Sequence, residues 1–344
     1  MRKFVCSLCI LVLLASTTWA GKVWQLTIVH TNDLHGRMLP FAYTGASVFC
    51  GKNVGGLARR ATAINTIRKS TTHPVVVVDS GDLFTRGPWQ HKFYGMPEID
   101  ALNAMSYDVL CIGNGEFQAK AGTDAQEIML GLVRRSCFPW LAANLTVTAS
   151  DEPVEGILPY IVLKEHGVRV GFLGLTAPRA TAYAQVKRWT ISDPLRAAKL
   201  WVPRVRKECD ILIAVTHIGF TLDKQLAAQV PGIDAIVGGD SHTFLTKPLL
   251  VKNPLGRKVP IVQAGEYGVC LGRLDLTFTE KAGKWLLCAE RGQLLPINQK
   301  SYAAEPTVQA ILDHLLKNDR TSANDRPVPG DPWQKAKEFL RGPR

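Results

Sequence analysis

Read for its spacing of apolar and polar positions, the chain alternates between two periods. Short runs dominated by Val, Ile, Leu and Ala occupy residues 25–31, 74–79, 108–113, 140–145, 168–175, 211–216, 233–237 and 259–264. Their length and β-branched content predict strands buried on both faces. Between them lie stretches with apolar residues three and four apart. In residues 55–68 these are Leu57, Ala61, Ile64 and Ile67, and residues 99–105, 125–135, 195–207 and 222–229 read likewise as helices. Strands alternating with helices predict a layered α/β domain. From residue 271 the pattern changes. Leu274, Leu276 and Phe278 alternate with polar residues, then Trp285, Leu287 and Ala289, which predicts an antiparallel hairpin ending near residue 297. One amphipathic helix over 307–317 follows, and residues 318–344, rich in Asp, Arg, Pro and Gly, read as a loose tail.

The first twenty residues belong to a different class. Arg2 and Lys3 precede an apolar run over residues 4–15, and Thr18-Trp19-Ala20 puts small residues three and one positions before a cleavage point. This is the pattern of a secretory signal, and the run is shorter than the roughly 18 apolar residues of a spanning helix. The expected organisation is a signal over residues 1–20, a domain over 21–300, and a short helix with a polar tail over 301–344, in a secreted or periplasmic protein without a stable membrane anchor. An exported chain permits disulfides, and Cys50, Cys111, Cys137, Cys209, Cys270 and Cys288 suggest at most one or two. The composition, 46% hydrophobic and 20% charged, is that of a globular protein able to build its core without them. A formal charge of +12 favours anionic partners, but the basic residues are scattered, which argues for phosphorylated small molecules rather than nucleic acid.

The polar residues that can carry chemistry sit where the apolar runs stop. The first run ends in Thr31-Asn32-Asp33-Leu34-His35-Gly36, the second in Asp79-Ser80-Gly81-Asp82, the third in Gly113-Asn114-Gly115-Glu116. Later ones end in Thr216-His217-Ile218-Gly219 and Gly238-Gly239-Asp240-Ser241-His242-Thr243. In an open α/β sheet, ligands bind beyond the carboxyl ends of the strands. Carboxylate, amide and imidazole groups in this mixture suit divalent first-row metals. They are too many for one tetrahedral ion, which points to two ions able to clamp a phosphoryl group.

These segments resemble a known family. The stretches LTIVHTNDLHGRML, VVVVDSGDLFTRGP, LNAMSYDVLCIGNGEF, WLAANL, VGFLGLTAP, LIAVTHIG, IDAIVGGDSHT and VQAGEYGVCLGRLDL are similar, in order from residue 26 to 278, to the 5′-nucleotidase branch of the calcineurin-like metallophosphoesterases. The resemblance implies a four-layer α/β/β/α sandwich and two divalent ions (Mn, Zn or Fe). It implies that Asp33, His35, Asp82 and His242 form one metal site, that Asp82 bridges, and that Asn114, His217 and Asp240 complete the other. Three departures accompany it. The family's Gly-Asn-His-Glu-Phe-Asp reads Gly-Asn-Gly-Glu-Phe-Gln here, so the histidine and aspartate that assist the transition state and the leaving group are replaced by Gly115 and Gln118. Such a loss costs on the order of 10²–10⁴-fold, and His91 is the one nearby alternative. Asp240 stands where the family has histidine, which favours harder ions. The family's nucleoside-binding C-terminal domain has no counterpart in these 344 residues, and Tyr302, Trp333 and Phe339 do not replace it. The resemblance therefore implies an exported, monomeric phosphoester hydrolase of weakened activity acting on a phosphorylated small molecule. The alternative is a non-hydrolytic, metal-binding relative that serves as a secreted binding protein.

Overall fold

The alternating strand–helix pattern folds into two sheets lying face to face. The computed structural model describes residues 22–45, 47–87, 90–118, 124–179 and 188–317. The expected signal segment, the polar tail with Trp333 and Phe339, and the side chain of His91 lie outside the described residues. The first sheet has seven strands in the order Lys284–Pro296, Cys270–Lys281, Val23–Thr31, Val75–Asp79, Val109–Cys111, Trp140–Leu141, Ile157–Leu158. The second has six, in the order Leu249–Lys252, Lys258–Val262, Ala235–Val237, Ile211–His217, Val168–Thr176, Tyr160–Glu165. In each, the central strands run parallel.

Side-chain alternation assigns the faces. In the strand Ile211–His217, Ile211, Ile213 and Val215 face the layer between the sheets, where they meet Leu26, Ile28, Val76 and Val78 of the other sheet. Leu212 and Ala214 face outward, onto the helices Pro194–Val205 and Phe220–Gln229. On the outer face of the first sheet, Val29 and Val77 pack with the helices Leu57–Ser70, Met96–Ala104, Ala125–Arg135 and Pro306–Lys317, the last burying Val308 and Leu312. The result is the α/β/β/α sandwich. A strand buried on both faces must be apolar at every position, which is why these runs are continuous rather than alternating.

The strand positions depart from expectation in several places, among them the short strands Phe41–Tyr43, Gly51–Val54, Ile157–Leu158 and Trp189–Ile191. The run 140–145 splits into Trp140–Leu141 and Leu145–Val147, because Asn144 between them is turned inward. Its amide donates to the carbonyls of Thr176 and Ser192 and accepts from the Thr176 N–H, so this residue, formally a glycosylation acceptor, is a buried bracket. The half-buried strand Tyr160–Glu165 and the exposed strand Leu249–Lys252 carry too little apolar periodicity to be predicted; both are antiparallel edge strands with few buried positions. No disulfide forms among the described residues, and Cys111, Cys209 and Cys270 pack as buried apolar groups.

Candidate metal centre

The carboxyl ends of the parallel strands from both sheets open onto one cleft, which brings together strand-end residues as far apart in sequence as His35 and His242, 207 positions. The local backbone there is unusual. Asp33, His35, Asp82, Asp240 and His242 all adopt left-handed φ angles between 49° and 78°. For residues other than glycine that conformation costs of order 1–3 kcal/mol each and concentrates at functional sites. It lets consecutive turns aim side chains back toward a common point. The turns are tied to one another: the Asp33 and His35 N–H groups donate to the Gly81 and Asp82 carbonyls at 2.9 Å, and the Tyr267 N–H donates to the Asp33 carbonyl at 2.7 Å. Glu116 is the staple beneath them. Its carboxylate accepts the N–H groups of Asp82 (3.0 Å), Leu83 (2.7 Å) and Gly113 (2.8 Å). Asp79 serves similarly, accepting from the Thr31 hydroxyl and the Gly81 N–H.

Each histidine of the cluster is fixed by its Nδ1. His35 Nδ1 faces the Thr85 carbonyl at 3.1 Å, His217 Nδ1 the Ser80 carbonyl at 2.5 Å, and His242 Nδ1 the Glu266 carboxylate at 2.7 Å. A proton on Nδ1 leaves Nε2 as a lone-pair donor, the tautomer a metal ligand requires. The three Nε2 atoms then converge on Asp33. Its Oδ2 is saturated by the Asn32 amide (2.7 Å) and the Asp240 N–H (2.8 Å), while its buried Oδ1 has no hydrogen-bond partner. That oxygen lies 3.2 Å from His242 Nε2, 3.7 Å from His35 Nε2 and 3.9 Å from His217 Nε2. His35 and His242 present Nε2 to Nε2 at 3.1 Å. At that separation one ring donates an Nε2 proton to the other or both lone pairs face a shared cation, and ligands about 2.1 Å from one ion stand roughly 3.0–3.4 Å apart.

The donor set therefore fits divalent ions, in two overlapping groups: Asp33, His35 and His242, and Asp33, Asp82 and His217. Asp82 lies between them, with Oδ2 3.9 Å from His35 Nε2 and Oδ1 3.3 Å from His217 Nε2. Asp240 Oδ1 stands 3.5 Å from His217 Nε2. The field of the cleft favours positive charge. Burial disfavours protonation of His217, yet the Asp82 and Asp33 carboxylates push its pKa up to about 10. Burial likewise opposes ionisation of Asp82, but His217 and His35 hold its carboxyl below the usual range.

Three features of the site were not read from the sequence. Arg179 donates from Nη1 to Asp240 Oδ2 at 2.7 Å and from Nη2 to Asn114 Oδ1 at 2.6 Å, with Nη2 also against Asp240 Oδ1. Glu266 orients His242 and accepts the Tyr43 hydroxyl at 3.0 Å. Thr85 fills the space beside Gly115: a Cβ on residue 115 would collide with the Thr85 hydroxyl and lie 2.8 Å from Asp82 Oδ1. The glycine is thus sterically required by its neighbour. Gln118 caps the short turn Gly115–Phe117, its N–H donating to the Gly115 carbonyl at 2.8 Å. Thr85 and Glu266 lie inside stretches that carry the resemblance, and Arg179 stands three residues beyond a strand end, but residue type alone marks none of the three.

Known proteins share this arrangement of elements. The sequence model of the calcineurin-like phosphoesterase family matches residues 26–244. The trifunctional nucleotide phosphoesterase protein YfkN of Bacillus subtilis is 30% identical over 346 residues, covering 90% of this chain and 22% of that protein. The 5′-nucleotidase of Bos taurus is 30% identical over 319 residues, covering 87% and 54%. The chain spans about half the length of such curated relatives, or less. Among solved structures, the 5′-nucleotidase precursor of Thermus thermophilus superposes with a TM-score of 0.76 at 27% identity, covering 86% of this chain and 59% of that one. The calcineurin-like phosphoesterase YfkN of Bacillus subtilis superposes with a TM-score of 0.71 over 87% of this chain and 98% of that one; at 23% identity it speaks for the fold.

Proposed function

The chain belongs to the calcineurin-like phosphoesterase family, and on that premise we propose that it is an exported, divalent-metal-dependent hydrolase of phosphorylated small molecules. The observation that carries this reading is the convergence of three Nδ1-tethered histidines on the free Oδ1 of Asp33. The seven groups Asp33, His35, Asp82, Asn114, His217, Asp240 and His242 would hold two divalent ions, Mn, Zn or Fe, with Asp82 between them. Such ions supply Lewis acidity toward a phosphoryl oxygen. Residues 21–300 form the catalytic unit in this reading, and it acts as a monomer. No helix among the described residues is long and apolar enough to cross a membrane.

The chain's own residues define what it can and cannot contribute. Arg86 bears electrostatically on both His35 and His242, and Arg37 stacks over Phe41 and Tyr267 at 5.2 and 5.4 Å. These cations draw an anionic ester toward the cleft. Gly115 and Gln118 supply no acid for a leaving group, so esters whose leaving group departs as a stable anion are hydrolysed best. The same observation favours one other reading, a metal-binding relative that does not hydrolyse, because Thr85 occupies the place of the missing side chain.

One assay separates them. The chain is reconstituted with Mn²⁺, Zn²⁺ or Fe²⁺ and offered an aryl phosphate, an aryl phosphodiester and AMP, beside Asp82→Asn. Turnover of the aryl esters that disappears in Asp82→Asn supports the hydrolase. No turnover with any metal, together with a metal-dependent melting temperature, leaves the binding protein.

A further inference from the structure

We propose that Arg179 makes the two metal positions unequal: its guanidinium competes with a divalent ion for Asn114 and Asp240, so that one ion is held tightly and the second exchanges. This rests on the metal-dependent reading above and deepens it.

The contacts are specific. Arg179 lies just past the strand Val168–Thr176, with its side chain about half exposed and its head group reaching into the cleft. Nη1 donates to Asp240 Oδ2 and Nη2 to Asn114 Oδ1, at 2.7 and 2.6 Å. Both acceptors are buried or nearly so, Asn114 at 1% exposure and the Asp240 side chain at 9%. They are also the two groups that, with His217, would close the second position. A guanidinium is permanently charged and its planar fork matches a carboxylate. A divalent ion on the same oxygens must displace these N–H donors or share the oxygens with a like charge beside it. In the other half Arg86 bears on His35 and His242 through charge alone, with no hydrogen bond to either among the described residues. His35 and His242 are tethered through Nδ1 by a carbonyl and a carboxylate, and among the described residues no arginine or lysine hydrogen-bonds Asp33 Oδ1.

The charge count points the same way. Aspartate at position 240, where the resembled pattern has histidine, adds one negative charge. Arg179 cancels it within hydrogen-bonding distance. The pair replaces a neutral ligand by an ion pair of zero net charge, in which Asp240 Oδ2 accepts from Arg179 and Oδ1 lies against the same guanidinium without a hydrogen bond. Charge-assisted hydrogen bonds of this kind, discounted for the exposure of Arg179, correspond to a weakening of the second ion by about tenfold.

The test reads metal rather than activity. The chain is loaded with Mn²⁺, desalted, and its metal content measured by mass spectrometry, with free Mn²⁺ followed by electron paramagnetic resonance during titration. The wild type is expected to retain one equivalent and to bind a second about tenfold more weakly or worse. Arg179→Ala should retain two, with the second dissociation constant tightened about tenfold, and Arg179→Ala with Asp240→His should make the two constants alike. Two equal equivalents in the wild type, or a second constant unmoved in Arg179→Ala, overturns the proposal. Arg179→Gln, which keeps bulk and polarity, repeats the measurement should the alanine variant fail to fold. Hydrolysis at saturating Mn²⁺ is scored separately. Unequal sites without turnover would defeat the hydrolase reading alone, and turnover with two equal ions would defeat this inference alone.

Discussion

The Asp33–His35–His242 half of the centre and the Asp82–Asn114–His217–Asp240 half share a cleft but are closed in different ways. The first is closed by acceptors: a backbone carbonyl behind His35, a carboxylate behind His242, and two N–H donors that saturate one oxygen of Asp33 and leave the other free. Asp33 Oδ1 is left without a hydrogen-bond partner there, as His217 Nε2 and Asp240 Oδ1 are in the other half. The second is closed partly by a cation, Arg179, and partly by packing, with Thr85 beside Gly115. The departures from the resembled pattern, at positions 115, 118 and 240, all fall on this half. The difference teaches that candidate ligands alike in type can differ in what already holds them. What matters is what already occupies each ligand's hydrogen-bonding capacity.

The comparison breaks most decisively at the residue both halves share. Asp33→Asn preserves the left-handed backbone, which asparagine tolerates, but removes the charge on which three histidines converge. Phosphoester turnover should fall on the order of 10²–10³-fold, and bound metal should be lost from both positions; a variant that keeps full metal content would show that the halves do not depend on Asp33.

Next in size is an attempt to rebuild the second half. Gly115→His alone should destabilise the chain and give no gain, because its Cβ meets the Thr85 hydroxyl. Combined with Thr85→Ala and Gln118→Asp, it should raise turnover of an alkyl phosphate by roughly 10²-fold, measured as kcat at saturating metal. An unchanged rate in the triple variant would mean that the missing acid is not what limits this half.

A smaller effect is expected from the tether of the first half. Glu266→Ala frees His242 Nδ1 and should weaken metal affinity about 10–100-fold, with Glu266→Gln recovering most of it by accepting the same hydrogen bond. Titration with a competing chelator reads this directly, and equal loss in both variants would argue for charge rather than orientation.

The smallest effect is a change of slope. Glu98 is buried in the first turn of the helix Met96–Ala104, near Gly36, and burial raises its pKa from 4.5 to about 8. The folded state thus holds a proton that the unfolded state releases. The associated stability is fully present below about pH 4.5 and is lost as pH rises toward about 8. Glu98→Gln should flatten that decline in denaturant titrations made across this window, without altering metal content. A slope identical to the wild type would place the titrating group elsewhere.

Much of the architecture was legible along the chain. Short runs apolar at every position, such as 211–215, read by their length as strands buried on both faces, and the helices between them followed from three- and four-residue spacing. The candidate ligands were legible too, because each sits where such a run stops. The edge strands were not, since a strand with few buried residues leaves little periodicity to read. Thr85, Glu266 and Arg179 were not legible because their significance is a matter of distance, not of type.

By itself, then, the sequence determined the layers, the order of the strand ends and the chemical identity of the groups delivered to them, since burial pattern and residue type are properties of consecutive positions. Only the tertiary structure decided which lone pairs are free. Hydrogen bonds from Asp240 to Asp33, from His217 to Ser80 and from Arg179 to Asn114 link residues 65 to 207 positions apart. They exist because two sheets pack so that their strand ends share one cleft. That packing, and not the list of candidate ligands, leaves Asp33 Oδ1 without a partner and sets an arginine against Asn114 and Asp240.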